Sequence, residues 1–394
     1  MYGFSSNRRY NDQMYRRLLD LPLLLQKKSF FLFGPRSTGK TTLVKQIPCT
    51  RFYDLLDALT FQRLVKRPSL LDEEHRGENI VVIDEIQKFP PLLDEVHRLI
   101  EKKKYTFLLT GSSARKLKGK GVNLLAGRAW WASLFPLTSP EISDFDLLRY
   151  LNRGGLPQVY DSPDYREELL SYTGLYLREE VQQEALTRNI PAFSEFLELM
   201  ALSNGQEINY DGFSRDLQIS PTTLKNYIGI LNDTLLGFPL AGYTGSKKRK
   251  AISRFKYYLF DLGVTNCLSH RGGIEDRSEL FGKAFEHFII LEIRAFISYH
   301  RMSLQMFYWR STSKFEVDLI IEKWAAIEIK STSMVQDKHL KGLRAFKEEG
   351  LVKEYFVISQ DLEHRVTSDG IHIFPWPLFL QKLWGRSLRF LFSA

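Results

Sequence analysis

Residues 34–41 read Gly-Pro-Arg-Ser-Thr-Gly-Lys-Thr, and this stretch decides the fold class of the first part of the chain. The spacing of Gly34, Gly39, Lys40 and Thr41 is that of a phosphate-binding P-loop. An apolar run of strand length precedes the loop, and a helical pattern follows it. In that context the glycines let the backbone wrap around phosphate oxygens, while the loop amides and the start of the helix point at the anion. A chance Gly-rich turn is the alternative interpretation.

Each position of the loop has a predicted role toward a nucleotide. Lys40 is expected to reach the β- and γ-phosphates, and Thr41 to ligate Mg²⁺. The remaining predicted contacts to ATP or ADP are Gly34, Pro35, Arg36, Ser37, Thr38, Gly39 and Thr42. The strand is predicted over residues 29–33 and the helix over residues 42–47. The sequence therefore predicts a site for ATP with Mg²⁺.

A second apolar run, over residues 79–85, ends in the acids Asp84 and Glu85. A short unbroken apolar run is typical of a strand buried on both faces of a parallel sheet, and ligands bind at the carboxyl ends of such strands. Asp84 is predicted to hold the Mg²⁺ shell. Glu85 is predicted to accept a proton from the water that attacks the γ-phosphate. The alternative is a strand that merely ends in solvated charges.

A third strand is predicted over residues 105–110, and it runs into Gly111, Ser112 and Ser113. Many P-loop ATPases place a polar residue here, between the phosphate loop and the catalytic acid. Ser112 is therefore the candidate γ-phosphate sensor, with Ser113 directly behind it. A Gly-Ser turn without such a role is the alternative.

The blocks at residues 32–36, 82–87, 109–113 and 125–128 resemble a prokaryotic family of AAA-superfamily ATPases. In that family the ATPase core precedes a poorly characterised C-terminal region, which the later blocks at residues 154–157, 260–263 and 282–286 resemble. The resemblance implies an AAA-type core with Arg128 as a phosphate-sensing arginine. A structural arginine paired with a carboxylate is an equal alternative for Arg128. The motifs are specific for an ATPase and much less specific for a cellular role.

Composition sets wider limits. The 394 residues are enough for two or three domains. A formal charge of +9 permits an acidic partner such as nucleic acid but does not require one. Cys49 and Cys267 lie far apart without companion ligands, so the sequence suggests no disulfide framework or zinc site, which fits a reducing cytoplasm. The start lacks a signal-peptide pattern, and no apolar stretch reaches the roughly 20 residues that span a bilayer, so a cytoplasmic protein without membrane contact is expected.

Residues 211–234 have a helix-turn-helix pattern. Ser220 is a good N-cap, and Pro221 suits the first position of the second helix. Three apolar residues share one face of that helix, namely Leu224, Ile228 and Leu231. Four polar residues near its start are left outward, as in a DNA-reading helix: Thr222, Thr223, Lys225 and Asn226.

A basic segment follows the second helix. Residues 247–250 read Lys-Lys-Arg-Lys, and Arg254 and Lys256 lie close behind. Such a segment is expected as a basic wing that touches DNA phosphates. The alternative is a winged-helix module that serves intramolecular packing, with a solvated basic loop.

Residues 315–321 and 326–330 both have strand patterns and are joined by a short turn. Glu328 and Lys330 are two apart, so a strand points them to the same face, where Asp318 from the neighbouring strand can meet them. Two carboxylates and a lysine form a metal site with a nearby cation that activates water. Glu286, on a helical run, adds a further carboxylate.

This arrangement resembles the PD-(D/E)xK nuclease superfamily. The resemblance implies that Asp318 and Glu328 bind Mg²⁺ and that Lys330 orients the attacking water or stabilises the phosphate. Residues 316–318 read Glu-Val-Asp where the superfamily has Pro-Asp. A cross-strand salt bridge on a half-exposed sheet is the alternative, and a nuclease-like fold does not by itself imply cleavage.

The predicted fold is α/β in three domains. Residues 1–140 form an AAA-type ATPase domain with a parallel sheet, residues 141–245 a helical region with the winged helix, and residues 246–394 a restriction-endonuclease-like α/β domain. The predicted function is an ATP-driven enzyme or switch that acts on DNA. A regulatory ATPase that binds a protein partner and a Mg²⁺ nuclease with a vestigial ATPase remain alternatives, and a homo-oligomer remains open.

Overall fold

The first part of the chain contains a parallel sheet of five strands. The computed structural model describes residues 15–47, 50–77, 80–112, 125–176 and 189–385. The strands are β1 Ser29–Phe33, β2 Thr50–Asp54, β3 Ile80–Asp84, β4 Thr106–Gly111 and β5 Ala129–Ser133, and they lie in the order β2-β3-β4-β1-β5. The helices around this sheet are α1 Leu21–Leu25, α2 Lys40–Lys45, α3 Ala58–Lys66, α4 Leu70–Glu73 and α5 Leu92–Lys103. The predicted parallel sheet is confirmed.

The composition of β1 explains its central place. All five of its residues are buried. Phe31 and Phe33 pack into the hydrophobic cluster on one face of the sheet, and Phe30 and Leu32 pack into the cluster on the other. A strand without a polar face needs cover on both sides, which helices provide in a parallel sheet. The P-loop therefore leaves β1 beside the carboxyl ends of β4 and β3.

The middle of the chain is mainly helical. Its helices are α6 Leu147–Arg153, α7 Pro157–Asp161, α8 Tyr165–Ser171, α9 Ile190–Leu202, α10 Tyr210–Asp216 and α11 Pro221–Asp233. The predicted pair of helices is present as α10 and α11. Ser220 caps α11, because its Oγ accepts a 3.0 Å hydrogen bond from the Thr223 amide. The predicted apolar face of α11 is buried, at Leu224, Ile228 and Leu231.

The last part of the chain contains a mixed sheet of eight strands in the order β12-β13-β11-β10-β9-β8-β6-β7. These strands are β6 Gly237–Gly242, β7 Phe255–Leu259, β8 Met306–Arg310, β9 Glu316–Ile321, β10 Ala325–Ile329, β11 Glu354–Ser359, β12 Arg365–Val366 and β13 His372–Pro375. The helices are α12 Leu262–Leu268, α13 Glu279–Tyr299, α14 Lys341–Lys347 and α15 Trp376–Trp384. Helix α13 covers one face of the sheet and α14 the other. None of the described helices has the length and apolar character to cross a membrane.

Strands β6 and β7 connect the middle of the chain to this sheet. They pair antiparallel from Gly237–Leu259 to Ala241–Phe255, and β6 also pairs with β8. The expected division between residues 245 and 246 falls in the loop between these two paired strands. A bridge between Glu207 and Lys256 adds the segment before α10 to the same hairpin.

Candidate active site

The P-loop conformation depends on its glycines. Gly39 has a φ of +88°, which favours glycine. A Cβ on Gly34 would lie 2.5 Å from the backbone oxygen of Leu134, so a larger residue would separate the loop from the end of β5. Ser37 also has a positive φ, of 61°. The loop is thus held in a conformation that most sequences do not adopt readily.

The Lys40 side chain lies over the loop itself. Its Nζ donates hydrogen bonds to the backbone oxygens of Gly34, at 2.8 Å, and Pro35, at 2.9 Å. The residue is 6% exposed, which is unusual for a lysine and places a cation inside the concave side of the loop. Thr38 braces the same turn, since its hydroxyl donates to the Pro35 oxygen at 2.9 Å.

Thr41 and Asp84 meet as the sequence predicts. The Thr41 hydroxyl donates a 2.8 Å hydrogen bond to Asp84 Oδ2. The other carboxylate oxygen accepts a hydrogen bond from the Thr110 hydroxyl, whose oxygen accepts a 3.0 Å bond from the Glu85 amide. Thr110, at the end of β4, was not predicted as a site residue, because a threonine in an apolar run carries no distinguishing signal. It fixes Asp84 and the backbone of Glu85 relative to each other.

Glu85 lies in the left-handed region with a φ of 60°, which is rare for a residue with a side chain. Its carboxylate accepts a hydrogen bond from the Gln87 amide, and the same nitrogen lies 3.4 Å from Ser112 Oγ. Ser112 is buried at the end of β4, beside the acids. The ends of β3 and β4 therefore bring Glu85 and Ser112 together. Ser113 lies outside the described residues.

Arg128 lies at the end of the sheet opposite the P-loop, where β1 and β5 begin. It directly precedes β5, whose first residue, Ala129, pairs in parallel with Ser29 at the amino end of β1. The P-loop begins at the opposite, carboxyl end of that strand. Arg128 forms an ion pair with Glu101 at the end of α5. The phosphate-sensing role within the same chain therefore does not fit, whereas the pairing with a carboxylate is observed.

Two residues from outside the core contact backbone oxygens of the P-loop, and neither was predicted. Arg17 donates a hydrogen bond to the Thr38 oxygen at 2.6 Å. The Tyr172 hydroxyl donates to the Arg36 oxygen at 3.4 Å. Both contacts join segments far apart in sequence, so no local pattern could indicate them.

The distal acids converge on one lysine. Lys330 Nζ lies 2.6 Å from Glu328 Oε1 and 3.4 Å from Asp318 Oδ2, so the two carboxylates share a site rather than pointing apart. The Ile329 amide also donates to Asp318, at 2.7 Å. Burial, and next the negative charge of Asp318, raise the pKa of Glu328 to about 8 although Lys330 lowers it. Glu328 Oε2 is buried and has no hydrogen-bond partner among the described residues.

A second lysine enters this cluster from β7. Lys256 Nζ lies 2.7 Å from Glu316 and 3.6 Å from Glu286, and the Tyr258 hydroxyl donates to Glu286 at 2.6 Å. The expectation that Lys256 belongs to an exposed basic wing is wrong, because its side chain is buried among these acids. Burial raises the pKa of Glu286, against the lowering effect of Lys256.

The predicted three-carboxylate metal site is not preformed. Across the described ranges, no three His, Cys, Asp or Glu side chains are grouped closely enough to hold a metal ion. The acids are instead arranged around the ammonium groups of Lys330 and Lys256. We refer to the carboxylates of Glu286, Glu316, Asp318 and Glu328 with these two lysines as the distal acid cluster.

The basic segment is divided between exposed and packed residues. Arg249 donates to the Ala345 oxygen at 2.8 Å and to Glu348 at 2.7 Å, so it holds the loop against α14 rather than facing a ligand. Glu349 accepts hydrogen bonds from the backbone amides of Lys247 and Lys248, both at 2.8 Å. The side chains of Lys247, Lys248 and Lys250 are exposed.

Residues 26–143 match the family model of an AAA domain. This range holds the P-loop, the acids at the end of β3 and Ser112, so the first part of the chain is an AAA-type P-loop domain. Two models of domains of unknown function match further ranges, DUF8612 over residues 144–275 and DUF4143 over residues 281–379. The distal acid cluster draws Lys256 from the first of these ranges and its carboxylates from the second.

Relatives are found in bacteria and archaea. The uncharacterized proteins Rv2008c of Mycobacterium tuberculosis and Mb2031c of Mycobacterium bovis are each 27% identical over 323 residues, which is 77% of this chain and 70% of theirs. The uncharacterized protein MJ1637 of Methanocaldococcus jannaschii is 24% identical over 331 residues, or 69% of this chain and 68% of its own. The names of these relatives state no activity.

Solved structures that match are more distant. A DNA replication initiation factor has a TM-score of 0.26 and 12% identity, over 46% of this chain and 65% of that one, slightly less than two thirds of its length. The replication initiator DnaA bound to AMPPCP and single-stranded DNA has a TM-score of 0.26 and 14% identity, over 54% and 85%. Drosophila ORC bound to AT-rich DNA and Cdc6 has a TM-score of 0.21 and 10% identity, over 63% and 87%. No functional conclusion rests on these low scores.

Proposed function

We propose that the chain binds ATP and hydrolyses it to ADP and phosphate at the P-loop. The observation that carries this proposal is the 2.8 Å hydrogen bond between Thr41 and Asp84, with Glu85 next in the chain. It joins the end of β3 to the P-loop at the place where the terminal phosphates are expected. A strand that merely ended in solvated charges would leave Asp84 exposed, whereas Asp84 is buried.

The residues divide the work by their chemistry. Lys40 compensates the charge of the β- and γ-phosphates. Its ammonium group then contacts the phosphates in place of the loop oxygens of Gly34 and Pro35. Thr41 and Asp84 offer a hydroxyl and a carboxylate, oxygen ligands of the type that Mg²⁺ prefers, so these two residues are the ones to hold it. When bound, Mg²⁺ neutralises charge on the phosphates. Glu85 takes the proton of the attacking water, and Ser112 contacts the γ-phosphate.

Three variants test this proposal in a phosphate-release assay and a titration with a fluorescent ATP analogue. Lys40→Ala is expected to weaken binding strongly. Glu85→Gln keeps the shape of the side chain but cannot accept the proton, so binding should persist while turnover falls on the order of a hundredfold or more. Lys88 is exposed and lies near the site, so Lys88→Ala serves as the matched control. An unchanged rate in Glu85→Gln would remove Glu85 from the reaction.

We infer that DNA is the partner of this ATPase. The support is the exposed start of α11, with Thr222, Lys225 and Asn226, and the exposed lysines of the segment 247–250. The interpretation of this region as a winged helix is supported by the order of its elements, namely α9, the segment with the β-bridge at Glu207, α10, α11 and the β6–β7 hairpin. Addition of double-stranded DNA at low salt should raise the ATPase rate. A rate that does not respond, together with absent DNA binding, favours the alternative of an ATP switch that binds a protein partner.

A second candidate function is Mg²⁺-dependent nucleic-acid cleavage at the distal acid cluster. The observation that favours it is the buried, unpartnered Oε2 of Glu328 beside Asp318, since an orphaned carboxylate oxygen is unfavourable without a ligand. The order of α13, three strands, α14 and β11 also suits the nuclease-like fold. The two lysines oppose metal binding, because they already neutralise part of the acid charge.

Cleavage of linear and circular DNA with Mg²⁺ or Mn²⁺ tests this function. Asp318→Ala should abolish cleavage and leave ATP hydrolysis unchanged, since the two centres belong to different sheets. Glu363→Ala, which removes an exposed carboxylate outside the cluster, is the control. If wild-type protein leaves DNA intact under all these conditions, the cluster is a structural ion-pair network.

A further inference from the structure

The side chain of Gln87 lies between the two residues to which catalysis and phosphate sensing are assigned. Gln87 belongs to a single 3₁₀ turn, Ile86–Lys88, directly after Glu85, and it is 7% exposed. Its Nε2 donates to Glu85 Oε2 and lies 3.4 Å from Ser112 Oγ. Because a carboxylate only accepts hydrogen bonds, the amide nitrogen must face Glu85, and this fixes the orientation of the amide.

The oxygen atom of this amide makes a glutamine unexpected at this buried position. Gln87 Oε1 is buried and has no hydrogen-bond partner in the described part of the chain. A Cβ on Gly111 would lie 2.7 Å from this oxygen, so the glycine makes room for it. A buried unpaired oxygen destabilises the fold. Packing alone would favour an apolar side chain at this position. An apolar side chain could not donate a hydrogen bond to Glu85, and this donor is the feature that glutamine provides.

We propose that Gln87 is a positioning residue that aligns Glu85 for hydrolysis and links it to Ser112. The inference rests on the proposed function, in which Glu85 is the general base. The amide occupies Oε2 and so leaves Oε1 to accept the proton of the attacking water. When Ser112 contacts the terminal phosphate of a nucleoside triphosphate, the amide that it shares with Glu85 sets the carboxylate for proton transfer.

Gln87→Met tests the proposal, because methionine matches the length of glutamine and removes both the donor and the unpaired oxygen. The variant is expected to fold with unchanged or higher thermal stability. Its kcat should fall on the order of tenfold with KM unchanged. Lys88→Met, in the same turn but exposed, is the control and should behave as wild type.

A double-mutant cycle separates positioning from a general structural effect. In the Glu85→Gln background, Gln87→Met should cause no further loss of rate, since it acts through Glu85. Equal losses in both backgrounds would overturn the proposal, as would an unchanged kcat in Gln87→Met.

A second variant, Gln87→Glu, keeps the shape but places another carboxylate beside Glu85. An ionised carboxylate only accepts hydrogen bonds and repels Glu85, so kcat should fall at least as far as in Gln87→Met. A wild-type kcat in Gln87→Glu would contradict the contact. Failure of the proposed function itself would look different, as absent wild-type turnover or a full rate in Glu85→Gln.

Discussion

The Arg17 guanidinium donates a 2.6 Å hydrogen bond to the backbone oxygen of Thr38, inside the phosphate-binding loop. The same side chain donates to the Phe135 oxygen at 2.6 Å, to Glu141 at 3.0 Å and to the Tyr299 hydroxyl at 3.2 Å. Tyr299 is the last residue of α13, the helix that carries Glu286. One buried arginine thus contacts both the P-loop and the helix that covers the distal sheet.

Arg17→Lys is expected to weaken both stability and nucleotide binding. Lysine keeps the charge but has no planar fork that can serve several acceptors at once. Part of the buried pair with Glu141 would be lost, and breaking such a pair lowers the free energy of unfolding by about 3–5 kcal/mol at most. Urea unfolding and titration with an ATP analogue would measure the two effects. Arg16→Lys, whose side chain is exposed, should change neither; equal behaviour of the two variants would exclude the Arg17 contacts as a support of the loop.

Glu292 should make the stability of the protein depend on pH. Burial raises the pKa of Glu292 to about 7, against the lowering effect of hydrogen bonds from Ser139 and Trp384. The folded protein therefore holds the proton more tightly than the unfolded chain. The resulting stabilisation is complete below the ordinary glutamate pKa of 4.5 and is lost as pH rises through about 7.

Glu292→Gln removes this titration and keeps an acceptor for Trp384 and the Ser139 hydroxyl, while the Ser139 amide loses its acceptor. That loss does not depend on pH. Relative to the variant, the wild type should lose as much as about 3 kcal/mol of unfolding free energy between pH 4.5 and pH 8. Denaturant unfolding at several pH values measures the difference, with the exposed Asp144→Asn as control. Parallel curves for wild type and Glu292→Gln would show that Glu292 does not titrate in this range.

Local pattern was sufficient where one short segment determines the structure. The apolar runs at residues 29–33 and 79–85 could only be buried strands, and they are β1 and β3. Their carboxyl ends had to meet at one edge of a parallel sheet, so the approach of Thr41 to Asp84 followed from topology. The same reasoning placed Asp318 beside Glu328, because a strand–turn–strand unit fixes the register over a few residues.

Residues whose role depends on distant partners could not be predicted. Arg17 contacts positions 21 and 282 residues away, at Thr38 and Tyr299, and nothing in its neighbourhood in the sequence indicates this. Lys256 lies near a basic segment, so its sequence context predicted exposure, whereas it belongs to β7 and its ammonium group lies 2.7 Å from Glu316. The sequence could not show whether Arg128 lies at the start or at the end of a strand. That difference decides whether Arg128 lies at the same end of the sheet as the P-loop or at the opposite end.

DNA binding should depend on the exposed lysines of the basic segment and not on Arg249. Reversing Lys248 and Lys250 to Glu is expected to weaken binding and to reduce the slope of log affinity against log salt by about one to two units, since each phosphate contact adds close to one. Fluorescence anisotropy at several salt concentrations measures this slope. The matched control is reversal of the exposed Lys27 and Lys66, which lie in the first part of the chain. A slope that falls equally in both variants would show a net-charge effect rather than a binding surface.

Lys256→Met should reveal whether the distal acid cluster can take a metal ion. Loss of the ammonium leaves Glu316 and Glu286 without the cation that lies 2.7 Å and 3.6 Å away, respectively. Removing one partner of a buried ion pair typically lowers the unfolding free energy by about 3–5 kcal/mol.

If the carboxylates can bind a divalent ion, Mn²⁺ should restore part of this loss, because a ligand that binds only the folded state stabilises it in proportion to the logarithm of its concentration. Thermal unfolding across a Mn²⁺ titration measures the recovery, with Lys250→Met as the exposed control. A variant that is destabilised but indifferent to Mn²⁺ would identify the cluster as an ion-pair network that holds the β6–β7 hairpin to the distal sheet.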